Sequence, residues 1–319
     1  MSNNRISVVI PAYNSEATIC MTLDSLLDQQ RTPDEIIVVD DHGIKPVTDV
    51  LGDRYPDVRV IRHETNKGVQ YARNTGFSEV SGDYIFFLDA DDILCPEFLK
   101  VMLGALEENP DAAAAFGSFY KCFDGNAASF LERHREIPPE ITVFSKPEGL
   151  TFYLNNTGAF IPSFSIFRRS ALEAISRDGE LFSTKLVSNE DFQMFARVVA
   201  MFDILHIENP MGVYFLQPNS ISRDQAKIWS SRADAVDSLI EISDDLKLSG
   251  FHIAFLKKMR ASAARLYARV LANNGARKQA SEHLFNEFKR SPEIKTLALM
   301  FLIFCGLQKK KIEYGGAEY

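Results

Sequence analysis

Cysteine is scarce in this 319-residue chain. Cys20, Cys95, Cys122 and Cys305 are the only four, and no two stand at CxxC spacing. That argues against a cysteine zinc cluster or a disulfide framework and suits a reducing cytoplasm. The opening stretch, MSNNRISVVIPAYN, lacks the apolar core of a signal peptide. Long apolar runs are missing as well. The longest, 296–307, has twelve residues including one threonine and one glycine, short of the roughly 20 that span a bilayer. Positive charge is in deficit: 35 Lys/Arg against 43 Asp/Glu, net −8. A chain built as a whole to wrap nucleic acid would show the reverse. Only 13 prolines and 17 glycines rule out collagen-like or wholly disordered chains. No GxGxxG follows the first strand-like run and no GxxxxGK[ST] occurs anywhere, which sets aside a dehydrogenase and a phosphate-loop enzyme. What remains, 46% hydrophobic and 11% aromatic, is a globular chain with core enough for one large or two modest domains.

The first hundred residues alternate two patterns. Short β-branched runs at 6–10, 35–40, 58–62 and 84–88 predict strands, and 16–27, 47–51 and 69–77 predict helices between them. Ile36-Ile37-Val38-Val39 and Ile85-Phe86-Phe87-Leu88 have no polar-out alternation, as strands covered on both faces should not. The expected fold is α/β, a mostly parallel sheet flanked by helices. Beyond it, 96–109 reads as a helix, 112–119 and 163–167 as strands, and 120–162 as an irregular loop region. Residues 169–175 and 192–201 read as helices, and 204–207 and 213–216 as two final strands.

After about residue 224 the character changes to helix throughout, at 226–248, 251–271, 277–289 and 294–307. Charge divides at the same place. Residues 225–319 hold 16 Lys/Arg and 10 Asp/Glu, and the preceding 224 hold 19 and 33. The expected domains are therefore 1–224 and a C-terminal all-helical region, 225–319.

Two of the buried runs end in acids: Asp40-Asp41 and Asp89-Ala90-Asp91-Asp92. Ligands of open α/β sheets bind beyond the carboxyl ends of strands. Three carboxylates on one tight turn repel unless a cation or polar donors compensate, and hard divalent cations prefer oxygen ligands shared with phosphate. An isolated DxD is also the sequence of a plain solvated turn. This one follows ISVVIPAYN at 6–14, EIIVVDD at 35–41, Asn66-Lys67-Gly68 and Ala72-Arg73-Asn74-Thr75-Gly76, and precedes Asn189-Glu190-Asp191 at a helix start.

In that order and spacing, residues 5–222 resemble the GT-A glycosyltransferases of family 2. The resemblance implies a GT-A, Rossmann-like sheet and an inverting transfer from a nucleotide-sugar, with a UDP-sugar as default donor. It implies a divalent cation, Mn²⁺ or Mg²⁺, as cofactor. Pro11, Ala12 and Tyr13 match the segment that cups the base, and Asp40 the acid that hydrogen-bonds it. Lys67 and Arg73 match positions lining the nucleotide. Asp89, with Ala90, matches the ribose or nucleotide contact, and Asp91 the metal-bound carboxylate. Asp191 matches the catalytic base, with Glu190 beside it. Each has a structural rival: Tyr13 as an edge aromatic, Asp40 as a turn cap, Arg73 as a solvated charge, Asp191 as a helix cap.

The chain departs from the family after Tyr214. Phe215-Leu216 stand where relatives often carry Arg or His for the diphosphate; His206 and Arg223 are the substitutes within the chain. The implied partners are the donor and a saccharide or lipid-linked saccharide acceptor, in bacterial polysaccharide or other glycoconjugate synthesis, with no nucleic acid polymer. A second copy of the chain and an anionic membrane are open candidates. The apolar run at 296–307 with Lys309-Lys310-Lys311 behind it reads as a membrane-surface helix or as a core helix closing the bundle. The expected location is the cytoplasm, free or peripheral on the membrane's inner face. A non-catalytic nucleotide-sugar scaffold on the same fold is the rival function.

Overall fold

The computed structural model describes residues 4–122, 138–216 and 224–307. They fall into two compact units. Met1–Lys185 with Glu190–Gln217 supply the first, and Leu186–Asn189 with Pro218–Tyr319 the second.

The first unit is built on one sheet. Strands β1 (Ile6–Ala12), β2 (Glu35–Asp40), β3 (Val58–Arg62) and β4 (Tyr84–Phe87) lie in the order β3-β2-β1-β4, all parallel. Every residue of β1 and β4 is buried, so their unbroken apolar character follows from cover on both faces. Helices α1 (Ile19–Leu27), α2 (Val47–Leu51) and α3 (Val69–Glu79) make the crossovers. α1 buries Ile19, Thr22, Leu23 and Leu26, one stripe at helical spacing. α3 comes down on β1 at Gly76, where a Cβ would sit 2.2 Å from a Val9 methyl. Only glycine lets this helix close so tightly.

Beyond β4 the pairing sense changes. β5 (Ile93–Leu94), β6 (Ala112–Cys122), β8 (Ser165–Arg168) and β9 (Asp203–Phe215) continue the order as β4-β8-β6-β9-β5, and β7 (Ile141–Phe144) also pairs with β9. β8 is antiparallel to β4 and β6, while β6 and β9 are parallel. The expected sheet flanked by helices is there, with its parallel block in β3-β2-β1-β4. The runs at 204–207 and 213–216, expected as two strands, form the single strand β9. Its register with β6 shifts around Pro210, a residue with no N–H for a ladder and so tolerated at an irregularity. The region 120–162, expected to be irregular, holds β7 and helix α5 (Glu148–Asn155); residues 123–137 of it lie outside the described residues. Helices α4 (Phe98–Glu108), α6 (Arg169–Ile175) and α7 (Glu190–Met201) complete the unit. Phe195 of α7 stacks on Phe167 and meets Phe116 edge-on, fixing α7 on the sheet.

The second unit contains α8 (Gln225–Glu241), α9 (Gly250–Asn273), α10 (Arg277–Arg290) and α11 (Ile294–Phe304). α8 stops seven residues short of its expected end at 248, because 242–247 turn and Ser249 caps α9 by accepting from the His252 N–H. Ala268, Ala272, Ala280, Leu284, Leu299 and Ile303 form a small core.

Candidate active site

The ends of β1, β2 and β4 bring the polar segments to one sheet edge. At the end of β1, Pro11 and Ala12 are buried and Tyr13 is 55% exposed. Asn14 follows with φ 50°, and its Oδ1 accepts from the Ile44 N–H at 2.9 Å. The end of β1 is thereby tied to the loop after β2, leaving the Tyr13 ring open above it.

Asp40 and Asp41, at the end of β2, are both buried. Asp40 accepts from the N–H groups of Gly43 (3.1 Å) and Val47 (3.0 Å) and pairs with Arg62. Asp41 accepts from the N–H groups of Lys67 (2.9 Å) and Gly68 (2.7 Å) and from His63 Nδ1 (2.7 Å). His63 Nε2 then faces the Thr75 hydroxyl at 3.0 Å. The two acids fold the loops 43–47 and 66–68 against the sheet. Lys67 is anchored through its backbone, and its side chain is exposed.

The turn after β4 holds three acids in three settings. Asp89 donates its N–H to the Ser163 hydroxyl and receives Arg73 Nη2 at 2.7 Å. Asp92 is fully buried and accepts from the Phe215 N–H at 3.1 Å. Burial, Asp91 and Asp89 push its pKa well above the usual carboxylate range. Asp91 is half-buried, and burial with the Asp89 charge beside it pushes its pKa up to about 7. Ala90 is buried within the turn.

Arg73 joins this turn to the start of α7. It is 4% exposed, and its Nη1 donates to Glu190 Oε1 at 2.7 Å. The guanidinium lies over the Phe182 ring, 5.4 Å from its centre. Burial alone would lower the Arg73 pKa, but Asp89, Glu190 and Asp191 together hold it above its ordinary value. One cation shared among three anions leaves an excess of negative charge. It falls on Glu190, whose pKa burial and Asp191 push up to about 7 against the pull of Arg73. Asp191 is half-buried, and its Oδ1 accepts from the Phe192 N–H at 2.6 Å.

A closed metal cage is not part of this arrangement: among the described residues no three His, Cys, Asp or Glu side chains are grouped to hold an ion. The turn nevertheless suits a shared cation. Arg73 engages Asp89 and the Phe215 N–H engages Asp92. Asp91 is the acid left to face a ligand. Mg²⁺-type ions need only one or two protein carboxylates when phosphates complete the shell.

The structure thus gathers Arg73, Asp89, Asp91, Glu190 and Asp191 in one charged cluster. His206, the sequence-based candidate for the diphosphate, is placed elsewhere. It lies on β9 opposite Phe116 and Thr142, among the rings of Phe152 and Phe160. Burial lowers its pKa, so it is a poor cation for a diphosphate. Arg223 lies outside the described residues. Sequence reasoning missed Asp41, His63, Phe182 and the role of Asn74. The Asn74 amide accepts from the N–H groups of Leu181 (3.1 Å) and Phe182 (2.8 Å) and donates to the Phe182 carbonyl (2.7 Å). It thereby sets the ring on which Arg73 rests. The one available signal was its position next to Arg73 in the Ala-Arg-Asn-Thr-Gly segment.

Comparison with known proteins gives a consistent picture. The profile described as Glycosyl transferase family 2 matches residues 7–176. An uncharacterized glycosyltransferase of Haemophilus influenzae is 38% identical over 106 residues, 33% of this chain and 36% of that protein. The match thus spans about a third of that relative's length. The succinoglycan biosynthesis protein ExoO of Rhizobium meliloti is 31% identical over 245 residues, 74% of this chain and 66% of its own. Among solved structures, S. aureus TarS 1–349 in complex with UDP superposes with a TM-score of 0.62 at 18% identity. That match covers 95% of this chain and 88% of TarS 1–349. The mannosyltransferase PcManGT from Pyrobaculum calidifontis, in complex with GDP-Man and Mn²⁺, gives 0.55 at 17% identity, covering 94% and 79%. These two likenesses bear on the fold, which is GT-A. The profile match takes in more than half of the sequence, and the chain belongs to glycosyl transferase family 2.

Proposed function

We propose that this chain is a divalent-cation-dependent, inverting glycosyltransferase. It moves a sugar from a UDP-sugar to an acceptor hydroxyl in bacterial polysaccharide or other glycoconjugate synthesis. The observation that carries the proposal is the cluster around Arg73: acids from the turn after β4 and from the start of α7 share one buried cation. Membership of the family, the name of ExoO and the UDP bound to TarS support the reading.

In this reading Pro11, Ala12 and the exposed Tyr13 ring form the shelf for the base. Asp40 meets the base with a carboxylate already shared among Gly43, Val47 and Arg62. The Lys67 side chain lines the nucleotide from a loop that Asp41 fixes, and Asp89 and Ala90 line the ribose. Asp91 holds the cation, Mn²⁺ or Mg²⁺. Bound there, the cation supplies positive charge against the departing nucleoside diphosphate. Arg73 holds Asp89 and Glu190 in register, so the donor side and the base side are set by one guanidinium. Asp191 takes the proton of the acceptor hydroxyl as that oxygen attacks the anomeric carbon and the carbon–diphosphate bond breaks. A single direct attack inverts the centre. Residues 1–224 are assigned to catalysis and 225–319 to contact with acceptor, membrane or a second copy.

The test is nucleotide release by the purified chain from a panel of UDP- and GDP-sugars, with and without Mn²⁺. The reading expects cation-dependent release from one UDP-sugar, abolished in Asp191→Asn. Tight nucleotide binding with no turnover of any sugar would favour the scaffold instead.

A further inference from the structure

Asp41 stands one residue past the end of β2, and His63 one residue past the end of β3. Both backbones are tied to the sheet. The Asp41 N–H donates to the Ala12 carbonyl at 2.8 Å, and the His63 N–H to the Asp40 carbonyl at 2.9 Å. Both side chains are buried, and they meet at Asp41 Oδ1, 2.7 Å from His63 Nδ1. A carboxylate offers only lone pairs, so the ring proton sits on Nδ1 and is donated to Asp41. Nε2 is left to the Thr75 hydroxyl on α3.

We propose that His63 is a positioning residue of the donor site, setting the Lys67 loop by fixing the plane of the Asp41 carboxylate. The inference rests on the transfer reading, in which the Lys67 side chain lines the nucleotide, and adds to it the group that holds that loop in place.

The loop needs such a hold. It enters α3 at Gly68, the N-cap, with φ 105° and no side chain to cap the helix. The N–H groups of Lys67 and Gly68 go instead to separate oxygens of Asp41, Oδ1 and Oδ2. Both bonds form only if the carboxylate keeps one rotation about its own axis. His63 on Oδ1 secures that rotation, and Thr75 on Nε2 secures the ring. One imidazole therefore joins the loop to the helix that carries Arg73. A buried polar network with its members paired in this way makes the parts it joins rigid. Were His63 only a core residue, its loss would lower the number of folded molecules and leave each folded molecule with its full affinity.

The experiment titrates the full chain with UDP in the presence of Mn²⁺ by calorimetry and follows amide exchange at Lys67 and Gly68 by NMR. In His63→Asn the amide nitrogen takes the place of Nδ1 and keeps the bond to Asp41. In His63→Gln it takes the place of Nε2 and loses that bond. His63→Phe loses both. Gln and Phe at 63 are expected to weaken UDP binding by about tenfold at unchanged stoichiometry and to speed exchange at both amides. His63→Asn is expected to recover most of each. Should His63→Phe fail to fold, the contrast between Asn and Gln carries the same test. The proposal is overturned if His63→Gln binds UDP as wild type does, if His63→Asn loses as much as His63→Gln, or if the loss appears in stoichiometry alone. Absence of UDP binding in wild type is a failure of the transfer reading and takes the donor role with it. A failure confined to the variants belongs to this inference.

Discussion

Two arginines, one in each unit, Arg73 buried and Arg260 partly buried, are held in nearly the same way and end in opposite situations. Arg260 meets both oxygens of Asp237 through Nε, at 2.8 and 2.9 Å, and pairs with Glu287. Arg290 adds a second cation to Asp237 at 2.8 Å. The pairing is two against two. The further acid there, Asp234, is raised by burial and Asp237 and drawn back by Arg260 and His283. Arg73 has the same two-carboxylate grip, but it serves Asp89 and Glu190 alone, with Asp191 also in its field. Beyond Asp89, Asp91 and Asp92 add to the excess. A balanced network closes on itself and fixes a fold. An unbalanced one is relieved by taking up protons or a cationic ligand, and it sits where three strand ends meet. That difference separates a structural lock from a site.

The largest effect expected from this contrast is on turnover. Asp191→Asn should lower transfer by about 10²–10⁴-fold and leave UDP affinity in place, measured as nucleotide release against calorimetric binding. Wild-type turnover in that variant would remove Asp191 as the base.

Next come the two arginines themselves. Removing one partner of a buried pair costs about 3–5 kcal/mol. Arg73→Met should lose stability on that order in urea unfolding, and Arg260→Met, at a partly open site, somewhat less. Only Arg73→Met should also lose nucleotide binding in the folded chain. Equal binding losses would erase the distinction between lock and site.

A smaller effect concerns pH. Glu190 has an ordinary pKa of 4.5 and is raised to about 7 in the folded chain. Between those values the folded chain retains a proton that the unfolded chain has released, so stability falls as pH rises through the window and levels off above it. The slope from this one group is at most about 1.4 kcal/mol per pH unit. Unfolding midpoints at both ends of the window should show the fall, and Glu190→Gln should remove this group's share.

The smallest effect belongs to Arg290, which is 58% exposed on its side of the Asp237 pair. Arg290→Ala should cost about 0–1 kcal/mol. A larger loss in thermal melting would mean that Arg260 does not suffice to hold Asp237.

The parallel half of the sheet was legible because its signals are local. The bounds expected for β2, α2 and β3 are those observed, since buried β-branched runs and the turns between them announce themselves over a few residues. The antiparallel entry of β8 was not legible, because pairing sense depends on the path of chain between strands and not on their composition. β7 and α5 were hidden among Pro138, Pro139, Pro147 and Pro162, which mask a short strand and a two-turn helix. In the site, Asp89, Asp91, Glu190 and Asp191 stood out by their place after a strand or at a helix start. The link through Arg73 did not, because it joins residues 16 and 117 positions away. Asp41 was in plain view beside Asp40, but nothing local shows that its carboxylate closes on Lys67 and Gly68.

The most direct test of the account is calorimetric titration of the full chain with UDP, with and without Mn²⁺, in wild type and Asp91→Ala. If the excess of acids around Arg73 is the donor site, UDP binds wild type with Mn²⁺. Omitting the cation or removing the Asp91 carboxylate weakens binding severalfold or more. UDP binding that is indifferent both to Mn²⁺ and to Asp91 would contradict the account, and the charge excess would need another explanation.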